Sequence, residues 1–183
     1  MTARLIAFVF LTVPTVWLSW RTLFSFNHHG LYRFISWECI LWLLLNNYSF
    51  WFADPLSITQ IVSWMLLIVS LGLLISGSFL MIKIGEADSG RKDSSLYNFE
   101  RTTKLIRKGI FKYVRHPLYG SLILLTWGIY FKNMNLQLTI MSIASTLFLI
   151  LTSLVEEKEN TKYFGQAYSD YMQRTKMFVP FIF

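Results

Sequence analysis

Two stretches of this chain combine residue types able to do chemistry with a spacing that would aim them at a ligand. Residues 103–121 read TKLIRKGIFKYVRHPLYGS and close the most basic part of the sequence. His116 precedes a proline, which biases it away from helical backbone, and Pro117 suits the first turn of a helix. Backbone N–H groups at such a start, beside Arg115 and His116, favour an anion such as a carboxylate. Residues 155–183 bring Glu156 and Glu157, then Phe164, Tyr168 and Tyr171 at i, i+4 and i+7, a single aromatic stripe if that segment is helical. Paired carboxylates accept from ammonium and hydroxyl groups, and an apolar slot takes a flat ring. Each stretch also has a plainer reading. The first is a helix entry with an interfacial arginine and tyrosine; the second is an amphipathic helix at a membrane surface.

The elements that must position these residues belong to a membrane protein. Of the 183 residues, 54% are hydrophobic and 17% aromatic, and the mean hydropathy is +0.45. Residues 58–82 and 136–155 run for 25 and 20 positions without a charge, each enough for a helix to cross about 30 Å of hydrocarbon. Residues 34–52, with Glu38, Asn46 and Asn47, make a further candidate span. Another starts near Leu5, between Arg4 and Arg21, with Pro14 inside. It lacks a small-residue cleavage site and continues into aromatics, so it reads as an anchor rather than a removed signal peptide. Residues 117–131 are short, about 22 Å of helix, and are expected to pair with the next run as a hairpin. The expected fold is all-α, a polytopic membrane protein of about five transmembrane helices. It forms one domain over residues 1–183, with three spans in 1–82 and a loop, two helices and a tail in 83–183.

Fifteen of the 17 basic residues fall on the side of the 83–115 loop and the tail, leaving only Arg4 and Lys132 on the other. The positive-inside rule then puts loop and tail in the cytosol and the N-terminus outside. The net charge of +7 is a topology signal, and no nucleic-acid-binding motif accompanies it. With Cys39 as the one cysteine there is no internal disulfide and no cysteine metal cluster; no metal is expected. His28 and His29 fall in a short interhelix loop and read as solvated at the interface. Glu38 either reaches the interface or serves a function within the membrane. Asn46 and Asn47 read as interhelical hydrogen-bond partners or interface residues. Ser70, Gly72, Ser76, Gly77 and Ser78 read as a small-residue face for close helix packing.

A ligand that wants a positive helix start, a carboxylate pair and an apolar entrance together is S-adenosylmethionine. No G-x-G occurs among the nine glycines, so a soluble-type cofactor loop is absent and another scaffold must hold it. At these residues the chain resembles the isoprenylcysteine carboxyl methyltransferase family, within a wider group of small membrane methyltransferases that includes phospholipid N-methyltransferases. The likeness rests on Lys104-Leu105-Ile106, Gly109, Arg115-His116-Pro117-Leu118-Tyr119, Glu156-Glu157, Tyr163-Phe164-Gly165, and Tyr168 with Tyr171. It covers roughly the C-terminal half.

The resemblance implies S-adenosylmethionine-dependent methyl transfer at the cytosolic membrane interface, with S-adenosylhomocysteine as product. The implied acceptor is prenylated or otherwise lipid-like, first a C-terminal prenylcysteine carboxyl, with a phospholipid amine as the alternative. An NADPH-dependent membrane sterol reductase, which can show a similar Arg-His-Pro-x-Tyr stretch, is the rival class. Carried over by position, Lys104, Leu105, Ile106, Phe111, His116, Pro117, Leu118, Tyr119 and Glu156 line the cofactor site, and Glu157 neighbours it. The chain departs from the pattern in that Gly120 stands one position early. Residues 147–155 also lack the basic residue that prenylcysteine-modifying relatives carry, with Thr152 near the matching place. Arg174, with Arg115, is then expected to orient the acceptor, and Glu157 to assist.

Overall fold

The computed structural model describes residues 2–23, 29–86 and 102–180. Its elements are helices: α1 (Thr2–Leu23), α2 (His29–Asn47), α3 (Ile58–Ile84), α4 (Pro117–Tyr130), α5 (Leu136–Phe164) and α6 (Gln166–Arg174). Short 3-10 turns follow α2 at Tyr48–Phe50 and precede α4 at Gly109–Lys112. Among the described residues, α1, α3 and α5 are long and apolar enough to cross a membrane, while α4 is a shorter apolar helix of 14 residues. Two starts carry side-chain caps. Ser57 Oγ accepts from Gln60 N–H at 3.4 Å for α3, and Asn135 Oδ1 from Leu138 N–H at 3.0 Å for α5.

Small residues bring α3 against α4. Ser63, Ser70 and Gly77 recur every seven residues on α3 and meet Gly128, Ser121 and Pro117 on α4. Ser63 Oγ donates to the Gly128 carbonyl at 2.6 Å and Ser70 Oγ to that of Ser121 at 2.7 Å. A Cβ on Gly77 would lie 3.3 Å from Pro117 Cγ and 3.2 Å from Leu118 Cδ1. The expected small-residue face is thus real at Ser70 and Gly77. Gly72 is not part of it, since a Cβ there would meet nothing within 4 Å.

α2 starts earlier than the sequence pattern suggested, at His29 rather than near Phe34, and this corrects the reading of His29 as a solvated loop residue. His29 is fully buried, with Nδ1 2.7 Å from Glu159 Oε2 on α5. His28 lies outside the described residues, as does much of the basic loop. Further along α2, Ser36 Oγ lies 2.8 Å from Ser145 Oγ of α5, and Ile40 and Leu43 join Ile129 and Leu138 in an apolar core. Glu38 is gripped between helices: Thr12 and Thr15 of α1 each donate a hydroxyl to its carboxylate at 2.6 Å. At the end of the bundle away from Glu159, Asn47 Nδ2 donates to the Ile129 carbonyl at 2.7 Å, as an interhelical partner should. Lys132 is only 5% exposed there. It donates to Gln60 Oε1 at 2.9 Å and the Trp51 carbonyl at 3.2 Å, with its ammonium 3.8 Å from the Trp64 ring centroid.

Candidate functional site at the Glu156 end

The start of α4, the last turns of α5, α6 and the segment after it meet at one end of the bundle. Gly109 begins the approach. Its φ of +58° suits glycine, and the loop presses so close to α3 that a Cβ would stand 2.6 Å from Leu80 Cδ1. The chain then runs extended beside the tail. Arg115 N–H donates to the Lys176 carbonyl at 2.8 Å, His116 N–H to that of Met177 at 3.1 Å, and Lys176 N–H to that of Tyr113 at 3.0 Å. This short parallel pairing buries Met177 and Phe178 against Tyr119 and Leu149, and it holds His116 fixed as α4 begins.

The aromatic stripe forms by a different route from the expected one. α5 ends at Phe164, Gly165 turns the chain at φ +61°, and α6 carries Tyr168 and Tyr171. No single helix runs through all three. The rings still associate: Phe164 and Tyr168 stack at 6.4 Å between centroids, and Tyr168 meets Tyr171 edge-on at 5.8 Å. Tyr171 Oη donates to the Phe111 carbonyl at 2.6 Å, tying α6 to the turn before α4. Burial raises the pKa of both tyrosines, so each remains a neutral donor.

Two adjoining clefts result, open to solvent on one side, with cavity volumes of about 60 and 50 Å³. The first is lined by Leu105, Ile106, Phe111, Arg115, Glu156, Asn160, Phe164, Tyr168 and Tyr171, with Met81 and Thr102. The second is lined by Phe111, Arg115, His116, Pro117, Leu118, Tyr119 and Glu156, again with Met81. Glu156 stands in the wall of both. Eight of the nine residues carried over by position therefore line one or other of these two adjoining clefts. Lys104 does not: it is exposed and pairs with Glu86. Arg174 lies farther out, in a third cavity with Arg107, Lys112, Asp170, Thr175 and Tyr171, the last shared with the first cavity. The sequence reading missed Met81, Thr102 and Asn160. Only Asn160 left a signal, standing one helical turn beyond Glu156, where its Nδ2 donates to Glu156 Oε1 at 3.4 Å.

Glu156 and Glu157 emerge beyond the uncharged run of α5 and face different partners. Glu157 Oε1 accepts from Arg115 Nε at 2.6 Å and lies 3.3 Å from His116 Nε2. Arg115 also donates through Nη1 to the carbonyls of Thr175 and Met172, so its guanidinium braces the tail against α5. Burial works against ionisation of Glu157, but His116 and Arg115 outweigh it and hold the carboxyl below the usual range. Burial opposes ionisation of Glu156 too. The charges of His116, His29 and Arg33 and a hydrogen bond from Tyr119 outweigh it, so this carboxyl is also held below its ordinary range.

Among the described residues, an all-helical bundle with three helices long and apolar enough to span a bilayer points to an integral membrane protein. The chain belongs to the phospholipid methyltransferase family, which it matches over residues 64–167, more than half its length. That group of small membrane methyltransferases is the one the motifs pointed to. Among curated proteins it is similar to the methanethiol S-methyltransferase of Pseudomonas deceptionensis, 27% identical over 71 residues. It is likewise similar to that of Pseudomonas sp. (strain GM41(2012)), 31% identical over 71 residues; each match covers 39% of this chain and 26% of the relative. The matched stretch thus spans about a quarter of those relatives' length. No solved structure matches the chain.

Proposed function

We propose that this chain is an S-adenosylmethionine-dependent methyltransferase working at the cytosolic face of a membrane, with a carboxylate-bearing lipid such as a C-terminal prenylcysteine as first acceptor. The observation that carries the reading is the position of Glu156, shared by two cavities that together gather the Arg-His-Pro-Leu-Tyr segment and the tail aromatics. The donor set fits the cofactor. Glu156 and Asn160 suit an ammonium or ribose hydroxyls; Leu105, Ile106, Phe164 and Tyr168 suit a flat purine; and the α4 start suits a carboxylate. When bound, the cofactor supplies an electrophilic methyl group on a sulfonium. The residues present have only to align the acceptor with it and exclude water, because a carboxylate with a pKa of about 3.5 is already an anion at neutral pH. Arg174, with Arg107 and Lys112 in the cavity next door, supports an anionic acceptor approaching past Tyr171. Arg115 and Glu157 serve that approach by keeping the tail in place.

A thiol acceptor is the second reading, favoured by the methanethiol S-methyltransferases among the relatives. A phospholipid amine would need a proton acceptor, for which Glu156 or Glu157 is the nearest group. The test is calorimetric titration of the purified protein with S-adenosylhomocysteine and with NADPH, then methyl transfer from labelled cofactor to prenylcysteine, phosphatidylethanolamine and a short alkanethiol. Binding of S-adenosylhomocysteine with loss of at least about tenfold in Glu156→Gln is expected. NADPH binding alone sinks the methyltransferase reading. Transfer to the thiol or the amine, and not to prenylcysteine, overturns the acceptor assignment only.

A further inference from the structure

Glu156 is served from an unexpected direction. α2 brings two buried basic side chains into the bundle one turn apart, His29 at 0% and Arg33 at 5% exposure. They share a face with Ser36, and that face packs on α5, where Ser145, Thr152, Glu156 and Glu159 form one stripe. Two contacts bracket this antiparallel stretch, Ser36 Oγ to Ser145 Oγ at 2.8 Å and His29 Nδ1 to Glu159 Oε2 at 2.7 Å. Arg33 lies between those contacts on α2, and Thr152 and Glu156 lie between them on α5, so the three share one stretch of the interface, with Arg33 and Thr152 buried. The Arg33 charge acts on Glu156 there.

A guanidinium stays charged at any accessible pH, and a buried one is costly unless an anion lies nearby. Glu156 faces His29 and Arg33 from α2, His116 and Tyr119 from the α4 start, Arg115 just before it, and Tyr168 from α6. Glu157 and Glu159 adjoin it on α5 itself. Arg115 is bonded to Glu157 and His29 to Glu159. The sequence places no basic residue in 147–155; the fold brings one to that stretch from α2, outside the residues of the family match.

We propose that Arg33 is a positioning residue of the site: from α2 it holds Glu156 turned into the cavities, ready for a cationic or hydroxyl-bearing ligand. This rests on Glu156 being a ligand-binding residue.

The experiment uses the full chain in lipid nanodiscs with carboxyl-¹³C glutamate, the Glu156 signal being assigned by its loss in Glu156→Gln. Arg33→Met, which keeps the buried stem and removes the charge, is expected to move the ligand-free Glu156 titration to higher pH, and Arg33→Lys to leave it near that of the native protein. S-adenosylhomocysteine affinity should fall about tenfold in Arg33→Met toward acid pH and by under about threefold near pH 8. A Glu156 titration unchanged in Arg33→Met overturns the proposal, as does an affinity loss equal at every pH, which marks a role in folding alone. Arg33→Gln serves as a second charge-removing variant should Arg33→Met not fold. The titration needs no ligand, so a native protein that fails to bind S-adenosylhomocysteine counts against the methyltransferase reading and leaves the effect of Arg33 on Glu156 decided.

Discussion

At the scale of single residues, Glu157 joins three parts of the chain, because one of its oxygens meets both Arg115 and His116 and Arg115 in turn holds the tail. A carboxyl whose pKa is depressed by folding stabilises the fold above the unfolded value of about 4.3. That contribution fades as pH falls from there through the depressed value. We expect acid titration of thermal stability to show this loss below about pH 4.5, and Glu157→Gln to flatten it while costing about 2–3 kcal/mol at neutral pH. A variant with an unchanged acid limb would remove Glu157 from that joint. The Arg-His-Pro segment and the glutamate pair were legible in the sequence, because span arithmetic alone returns both to one end. The burial of His29 was not. Its partner Glu159 is 130 positions away, and no local pattern marks a histidine whose counter-ion sits on another helix.

Among the elements, two glycines do work that their neighbours cannot. Gly165 adopts φ +61° and ψ −139°, a region open essentially to glycine, and lets α6 fold back so that Tyr168 and Tyr171 face the pocket. Gly165→Ala is expected to cost about 1–3 kcal/mol locally and to weaken S-adenosylhomocysteine binding by about tenfold, with circular dichroism still helical. Undiminished binding would show that the break is dispensable. Gly128 meets α3 so closely that a Cβ would stand 2.8 Å from Leu67 Cδ2. Gly128→Leu should separate α3 from α4 and lower the unfolding temperature in detergent, whereas Gly72→Leu, with open space around it, should not. The i, i+4, i+7 spacing correctly grouped the aromatics but implied a continuous helix. Periodicity reports which residues share a face, and one left-handed glycine can satisfy the same grouping by a turn.

At the scale of the molecule, the bundle separates two polar ends. One holds Glu156 and its basic neighbours; the other holds Lys132 folded over Trp64. The excess of Lys and Arg on the first end leads us to expect it in the cytosol. With Cys39 replaced by serine, a cysteine at Lys158 should react with an impermeant maleimide only in inverted vesicles, and one at Asn133 only in right-side-out vesicles. The opposite pattern would reverse the orientation. The long apolar helices were legible because length and charge alone define them. The packing of α2 on α5 was not, since it rests on hydroxyl and ion-pair contacts between segments more than 100 residues apart.

The pairing of residues 113–116 with 176–177 also bears on how the protein is made. The α4 start is synthesised some 60 residues before the segment that locks it, and α5 must be laid into the membrane in between. During insertion His116 has no Met177 carbonyl to bond, and Tyr119 has no Phe178 to pack on. The bundle can therefore assemble as the chain emerges, but the candidate site closes only once residues 176–178 have left the ribosome. A chain released before that segment would be inserted and folded through most of its helices, with the α4 start left unlocked.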